Sequence, residues 1–112
     1  MQQDASLLLD MVLWGREAKT LVEGMSWEEF TQSRATQLGL VYALQTIGEA
    51  ASKVSGATQA ARADIPWRPV INMRHRLVHD CGRVDLAIVW STVQTHVPLL
   101  IAALEPLIPP EE

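Results

Sequence analysis

The sequence predicts an all-α domain, an antiparallel four-helix bundle with one short extra helical turn. Apolar residues recur at three- and four-residue spacing along most of the chain, no segment alternates clearly enough for a strand, and glycine and proline separate the periodic segments. The 112 residues, 48% of them apolar, suffice for one compact core. We therefore expect a single domain over residues 1–108, followed by a short tail at 109–112.

The first helix is predicted from apolar residues at helical spacing, with Asp4 or Ser6 available as the N-cap and Gly24 as the stop. Those apolar residues are Leu8, Met11, Val12, Ala18 and Val22.

The order Ser26-Trp27-Glu28-Glu29 is that of a capping box and opens a second, long helix that continues to about Val54. Its apolar series is Ala35, Leu38, Val41, Tyr42, Leu44 and Ile47. The helix also contains Gly39 and Gly48, each of which costs about 1 kcal/mol relative to alanine. We expect these two glycines to let another backbone approach closely.

Residues 57–63 form a weakly specified connection that can hold one helical turn. Pro66 then suits the first turn of a third core helix, and Pro69 is still early enough to be tolerated. We predict that this helix reaches His79 and that Gly82 closes it.

Asp85 is predicted to cap the last helix, which extends to about Leu107 with a kink at Pro98. The late apolar run is too short for a membrane span and contains Glu105 and two prolines. The apolar start is interrupted by Asp10 and lacks a basic leader, unlike a signal peptide. We expect a cytoplasmic protein without membrane association.

Charge is unevenly distributed along this chain, whose formal net charge is −4. The segment 62–83 holds five arginines, two acidic residues and two histidines, an arrangement that attracts phosphate locally without making the whole surface bind nucleic acid. For Arg62 and Arg68 we favour a solvated helix face. The five arginines are Arg62, Arg68, Arg74, Arg76 and Arg83.

Arg74 and His79 lie near a predicted helix end with four residues between them. Imidazole can take a proton from a ribose 2′-hydroxyl near neutral pH, and a permanently charged guanidinium can hold the phosphorane that follows. Five residues turn a regular helix by about 140°, so the two side chains converge only if the helix ends there. Arg76 competes for the phosphate role. On spacing alone, a capping histidine and a surface ion pair are favoured.

Four short segments are spread over most of the chain. They are Ile47-Gly48-Glu49-Ala50-Ala51, Ile65-Pro66-Trp67, the run from Ile71 to Asp80, and Val84-Asp85-Leu86 with Trp90. Their order and spacing resemble the HepT-like branch of the HEPN domain family. In that family the motif histidine is normally followed by any one residue and then a tyrosine.

The resemblance implies a helical-bundle toxin of a type II-like or type VII toxin–antitoxin system. Such proteins are metal-independent endoribonucleases without a cofactor, and they form homodimers in which two motifs face each other across a cleft. Their antitoxins are minimal nucleotidyltransferases (MNT), some of which transfer AMP onto the motif tyrosine. The implied substrate is RNA.

Carried over to this chain, the resemblance makes Arg74 the phosphorane-stabilising residue and His79 the acid or base. The implied auxiliary or RNA-binding residues are His75, Arg76, Arg83 and Glu49. Glu49 matches the acidic residue of the family's Gly-Glu-Ala run and could orient Arg74; an exposed helical carboxylate is an equal alternative.

Cys81 occupies the position of the family tyrosine, and as the single cysteine it excludes an intrachain disulfide and a multi-cysteine metal site. A thiol is neither a stacking surface nor an O-linked AMP acceptor, so the departure puts neutralisation by tyrosine modification in doubt. An inconsequential loop thiol is the alternative interpretation.

Two function classes stay open at this point. One is the ribonuclease toxin, and the other is a non-catalytic module that binds a nucleotide or its nucleotidyltransferase partner through the same cationic cleft. We expect His96 to be a surface residue and the four tryptophans to pack in the core and at helix junctions. The tryptophans are Trp14, Trp27, Trp67 and Trp90.

Overall fold

The computed structural model describes residues 2–78 and 82–109, and it confirms the all-α fold. Four helical layers form the bundle: α1, α2 with α3, α5 with α6, and α7 with α8. A π-helical segment, Thr92–His96, joins α7 to α8, and a 3-10 turn, Glu105–Leu107, follows α8. The helices are α1 (Gln2–Leu21), α2 (Trp27–Gln32), α3 (Arg34–Lys53), α4 (Gly56–Ala61), α5 (Trp67–Ile71), α6 (Arg74–Leu77), α7 (Leu86–Ser91) and α8 (Val97–Leu104).

The centre of the bundle is the antiparallel pair α1 and α3. The Trp14 ring lies against Tyr42 with centroids 5.3 Å apart, and Leu21 packs over Gly39 near the start of α3. Side chains from all four layers fill the core between them, which removes a large apolar area from water. The largest fully buried side chains include Phe30, Met11, Leu40, Leu44, Ile47, Ile65, Leu77, Leu104 and Val89.

Asp4 and Ser6, the two predicted N-caps of α1, both lie within that helix, so neither of them caps it. The carboxylate of Asp4 is buried, only 5% exposed, and accepts hydrogen bonds from the Ser55 hydroxyl at 2.6 Å, the Thr58 hydroxyl at 2.5 Å and the Ser55 N–H at 3.0 Å. These bonds, led by the one from the Ser55 hydroxyl, lower the pKa of Asp4 to about 2. The start of α1 is thereby fixed to the start of α4.

The predicted helix starts and stops around residues 24–33 are confirmed in part. Gly24 has a φ of 75° after α1, and Ser26 forms the expected capping box with Glu29. However, the long helix is divided, because Ser33 ends α2 and caps α3. The buried amide of Gln37 donates to the last carbonyls of α2, which stabilises this break.

The third core helix is also divided, into α5 and α6, and it ends at Leu77 rather than at His79. At the division the Met73 N–H donates to the Val70 carbonyl at 3.3 Å, so the backbone bonds there span three residues instead of four. A Cβ placed on Gly48 would lie 2.8 Å from that same Val70 oxygen. The close backbone approach expected at Gly48 is therefore confirmed; at Gly39 the neighbour is instead a side chain.

Asp85 caps the last helix as expected, accepting a hydrogen bond from the Ile88 N–H at 3.2 Å. The irregularity predicted at Pro98 takes the form of the π-helical segment directly before it. Proline has no N–H to donate to the Gln94 carbonyl, and its ring would clash with that carbonyl in a regular helix. A wider turn, in which the Val97 N–H donates to the Thr92 carbonyl, relieves both problems.

By length and composition alone, the continuous helix of residues 86–107 could cross a membrane. This helix begins earlier than the late apolar run considered from the sequence. A core helix of a soluble protein passes the same test, and here six apolar side chains pack into the bundle. These are Val89, Val93, Val97, Leu100, Ile101 and Leu104.

Candidate active site

Arg74 is the first residue of the four-residue helix α6, and its side chain is exposed. Only Leu77, fully buried, anchors this helix in the core. His75 and Arg76 point to solvent with Arg74. One short helix thus presents three nitrogen-rich side chains on the surface.

Arg74 lines a groove of about 310 Å³ whose other walls come from α3. The α3 residues are Tyr42, Gln45, Thr46 and Glu49, which lie on one face because they are spaced by three and four residues. The approach of α5 to the backbone at Gly48 places the start of α6 beside this face. Glu49 and Arg74, predicted as site residues, are therefore brought together.

Glu49 stands beside Arg74 without holding it. Its side chain is 58% exposed, and Oε1 lies 3.8 Å from the Lys53 Nζ one turn along α3. Within residues 2–78 and 82–109, the guanidinium of Arg74 forms no ion pair. Its charge is therefore available to an anion entering the groove.

His79 and Cys81 lie outside the described residues, but the chain on both sides of them is described. Val78 is extended and pairs with Val84 in an isolated antiparallel bridge. The Asp85 N–H donates to the Leu77 carbonyl at 2.7 Å. These contacts fix where the segment carrying His79 leaves α6 and where it rejoins the bundle.

One internal ion pair reduces the free positive charge of the cationic segment, residues 62–83. Arg62 donates to Asp64 through Nε at 2.9 Å and Nη2 at 2.8 Å, so it is paired rather than merely solvated; the bonds raise the pKa of Arg62 and lower that of Asp64. The other four arginines of this segment are exposed, and none of them forms an ion pair with a described residue. These are Arg68, Arg74, Arg76 and Arg83.

The aromatic side chains are distributed as expected, with one exception. Trp27, Phe30 and Trp90 form a cluster with ring centroids 5.0–5.9 Å apart at the junction of α2 and α7, and Trp67 is buried. Tyr42, taken from the sequence as part of the apolar series, is 61% exposed and faces the Arg74 groove. A helical wheel of α3 places Tyr42 on the polar face of the helix, so its exposure could have been predicted from the sequence.

Two further observations complete the description of the site. His96 is exposed, as expected. Among residues 2–78 and 82–109, no three side chains of His, Cys, Asp or Glu are grouped closely enough to hold a metal ion.

The all-α bundle is the fold expected of a HEPN-type domain, and comparison with known proteins shows that family. The family model described as "Ribonuclease HepT-like" matches residues 15–107. The chain therefore belongs to the HepT-like family.

Curated relatives share most of their length with this chain. It is 33% identical over 95 residues to "Probable ribonuclease HepT" of Thermococcus cleftensis, covering 81% of this chain and 86% of that protein. It is 27% identical over 103 residues to "Putative RNase MJ1216" of Methanocaldococcus jannaschii, covering 92% and 85% respectively. No solved structure gives a significant match.

Proposed function

We propose that this protein is a metal-independent endoribonuclease, the toxin of a toxin–antitoxin pair whose other member is a minimal nucleotidyltransferase. The observation that carries the proposal is the guanidinium of Arg74 at the start of α6, five residues before His79. This guanidinium is exposed and forms no ion pair with any residue that the structure describes. Membership of a family with relatives named as ribonucleases supports the same activity. The proposed location is the cytoplasm.

In the proposed reaction a phosphoryl group is transferred within the RNA backbone, from the 5′-oxygen to the adjacent 2′-oxygen. His79 takes the proton of a ribose 2′-hydroxyl, and the oxygen attacks the adjacent phosphorus. Arg74 donates two hydrogen bonds to the non-bridging oxygens of the phosphorane, where negative charge accumulates. The bond to the 5′-oxygen breaks, that oxygen takes a proton from water, and His79 gives up its own proton to the solvent. The products are a 2′,3′-cyclic phosphate and a 5′-hydroxyl.

The ordered chain around the motif supports a shared site for the two residues. Val78, the residue before His79 in the sequence, follows the last residue of the helix that carries Arg74, and it pairs with Val84. His75, Arg76 and Arg83 are proposed to attract the RNA backbone, since each is exposed in the same cationic segment.

We also propose that the active unit is a homodimer. The Arg74 groove is open to solvent and shallow, so a single copy encloses little of a strand of RNA. A second copy facing it would supply the opposite wall and a second motif. The nucleotidyltransferase antitoxin is proposed to bind the same face.

The decisive experiment is cleavage of a labelled RNA by the purified protein in excess EDTA, with the ends analysed for 2′,3′-cyclic phosphate. Arg74→Ala and His79→Ala should lose cleavage while keeping helical circular dichroism. Arg68→Ala removes the same charge from an exposed site on α5 and serves as the matched control. RNA binding by the wild type without any turnover would overturn the proposal in favour of a non-catalytic binding module.

A further inference from the structure

Tyr42 is an exposed aromatic ring held in a fixed position. It is 61% exposed, yet the Trp14 ring contacts it at a centroid distance of 5.3 Å and an interplanar angle of 70°. Such an edge-to-face contact stabilises the orientation of both rings. Tyr42 therefore offers a preoriented aromatic surface to whatever enters the groove.

The floor of the same groove carries hydrogen-bonding groups with free capacity. In the described part of the chain the half-buried Gln45 amide has no hydrogen-bond partner, so its N–H₂ donors and its carbonyl acceptor are available. Glu49 contributes an acceptor-only carboxylate. Thr46 donates its hydroxyl proton to the Tyr42 carbonyl at 2.8 Å and keeps an acceptor lone pair.

We propose that this groove binds one unstacked nucleotide of single-stranded RNA, whose base stacks on Tyr42 while Arg74 holds the adjacent phosphate. This inference rests on the proposed function and names the RNA subsite beside its scissile phosphate. Gln45 and Glu49 read the edge of the base. Because a carboxylate accepts from amino groups and is repelled by carbonyl oxygens, the groove favours adenine, cytosine or guanine over uracil.

The properties of the groove fit a nucleotide better than a protein surface. Its volume of about 310 Å³ is at the lower end of the range for small-ligand sites. Three charged side chains, those of Glu49, Lys53 and Arg74, lie in or beside it, whereas the buried centre of a protein interface is depleted of charge. An aromatic ring with a cation beside it is the usual platform for single-stranded nucleic acid.

Binding of an RNA that cannot be cleaved tests the site without depending on catalysis. The probe is a fluorescent 2′-O-methyl oligoadenylate of six nucleotides, and its affinity is measured by anisotropy. Tyr42→Leu should weaken binding by about 5- to 150-fold, the effect of losing one base–aromatic stack. Tyr42→Phe should bind like the wild type. Leu38→Ala, which removes exposed apolar surface one turn earlier on α3, should have no effect.

Base selectivity gives a second measurement on the same proteins. Wild-type protein should bind the oligoadenylate at least about 5-fold more tightly than the matching oligouridylate. Glu49→Gln should reduce that preference while leaving Tyr42-dependent binding in place. Equal affinity of the wild type for the two probes would overturn the assignment of Glu49 and Gln45 as base readers.

Three results separate this inference from the proposed function. If Tyr42→Leu binds and cleaves like the wild type, the stacking site is wrong and the ribonuclease stands. If the wild type binds RNA through Tyr42 but never cleaves it, the nucleotide site stands and the proposed catalysis fails. If Tyr42→Leu and Leu38→Ala weaken binding equally and both change the sedimentation coefficient, the Tyr42 ring packs against a second copy instead of a base, and the inference is overturned.

Discussion

The Val70 carbonyl oxygen lies so close to Gly48 that a Cβ on the glycine would be 2.8 Å away from it. At this contact α5 crosses α3. Val70 lies four residues before Arg74, and Gly48 directly precedes Glu49. A backbone-to-backbone contact has no flexible side chain that could yield. The glycine thus determines how closely the helix carrying Arg74 approaches the groove on α3.

Gly48→Ala should therefore displace α5 and α6 and reduce activity without abolishing folding. Overpacking costs about 1–3 kcal/mol, offset by about 1 kcal/mol of helix propensity, so we expect a net loss of up to about 2 kcal/mol in urea unfolding. Gly39→Ala is the matched control, because its neighbour is the end of the exposed Leu21 side chain at 3.3 Å. Equal stability and activity of the two variants would contradict this role of Gly48.

Arg74→Lys should behave almost like Arg74→Ala in RNA cleavage. A lysine keeps the charge but loses the planar fork that donates two parallel hydrogen bonds to a phosphorane. We expect cleavage to fall by about 100- to 1,000-fold, as for removal of one oxyanion donor. Stability should change by no more than about 0.5 kcal/mol, because the side chain is exposed. A lysine variant that cleaves at the wild-type rate would show that charge alone suffices.

Asp4 should make the stability of the domain sensitive to acid. Its pKa falls from 3.8 to about 2 on folding, so its hydrogen bonds to Ser55 and Thr58 stabilise the fold fully above pH 4 and are lost as the pH falls through 2. Asp4→Asn should lower the urea midpoint at pH 7, and its difference from the wild type should shrink between pH 4 and pH 2. Asp10→Asn, on the exposed face of α1, should change neither the urea midpoint at pH 7 nor its dependence on pH. If the difference in urea midpoint between Asp4→Asn and the wild type stays constant down to pH 2, the lowered pKa of Asp4 is contradicted.

The proposed homodimer should be visible in solution. Sedimentation equilibrium at micromolar concentration is expected to give twice the mass of 12.4 kDa, and a heterodimer of one Arg74→Ala and one wild-type copy should report whether two motifs are needed. A monomer with full ribonuclease activity at the same concentration would rule out the shared cleft.

Cys81 separates neutralisation by binding from neutralisation by modification. After incubation with the partner nucleotidyltransferase, ATP and Mg²⁺, intact-mass spectrometry should find no AMP on position 81 of the wild type, whereas Cys81→Tyr should gain one AMP. A phenol restores the acceptor that a thiol does not provide. AMP on another residue of the wild type would show that this position does not control modification.

Features governed by local hydrogen bonding could be predicted from the sequence. The capping box at Ser26, the cap at Asp85 and the turn at Gly24 each involve groups within a few residues of one another, so their residue types indicate them directly. The periodicity of apolar residues likewise predicted four helical layers. The family resemblance rested on residue order alone, and the catalytic roles that it implies for Arg74 and His79 stay predictions.

Only the tertiary structure decided which of those residues meet. Asp4 bonds to residues more than 50 positions away, and the split between α5 and α6 follows the contact of the Val70 carbonyl in α5 with Gly48 of α3. Tyr42 fits an apolar helical pattern, yet it is exposed, because its neighbours on that side are Trp14 and the open groove. Contacts of this kind depend on how the helices pack, which no local sequence pattern encodes. The groove beside Arg74 is formed by that packing.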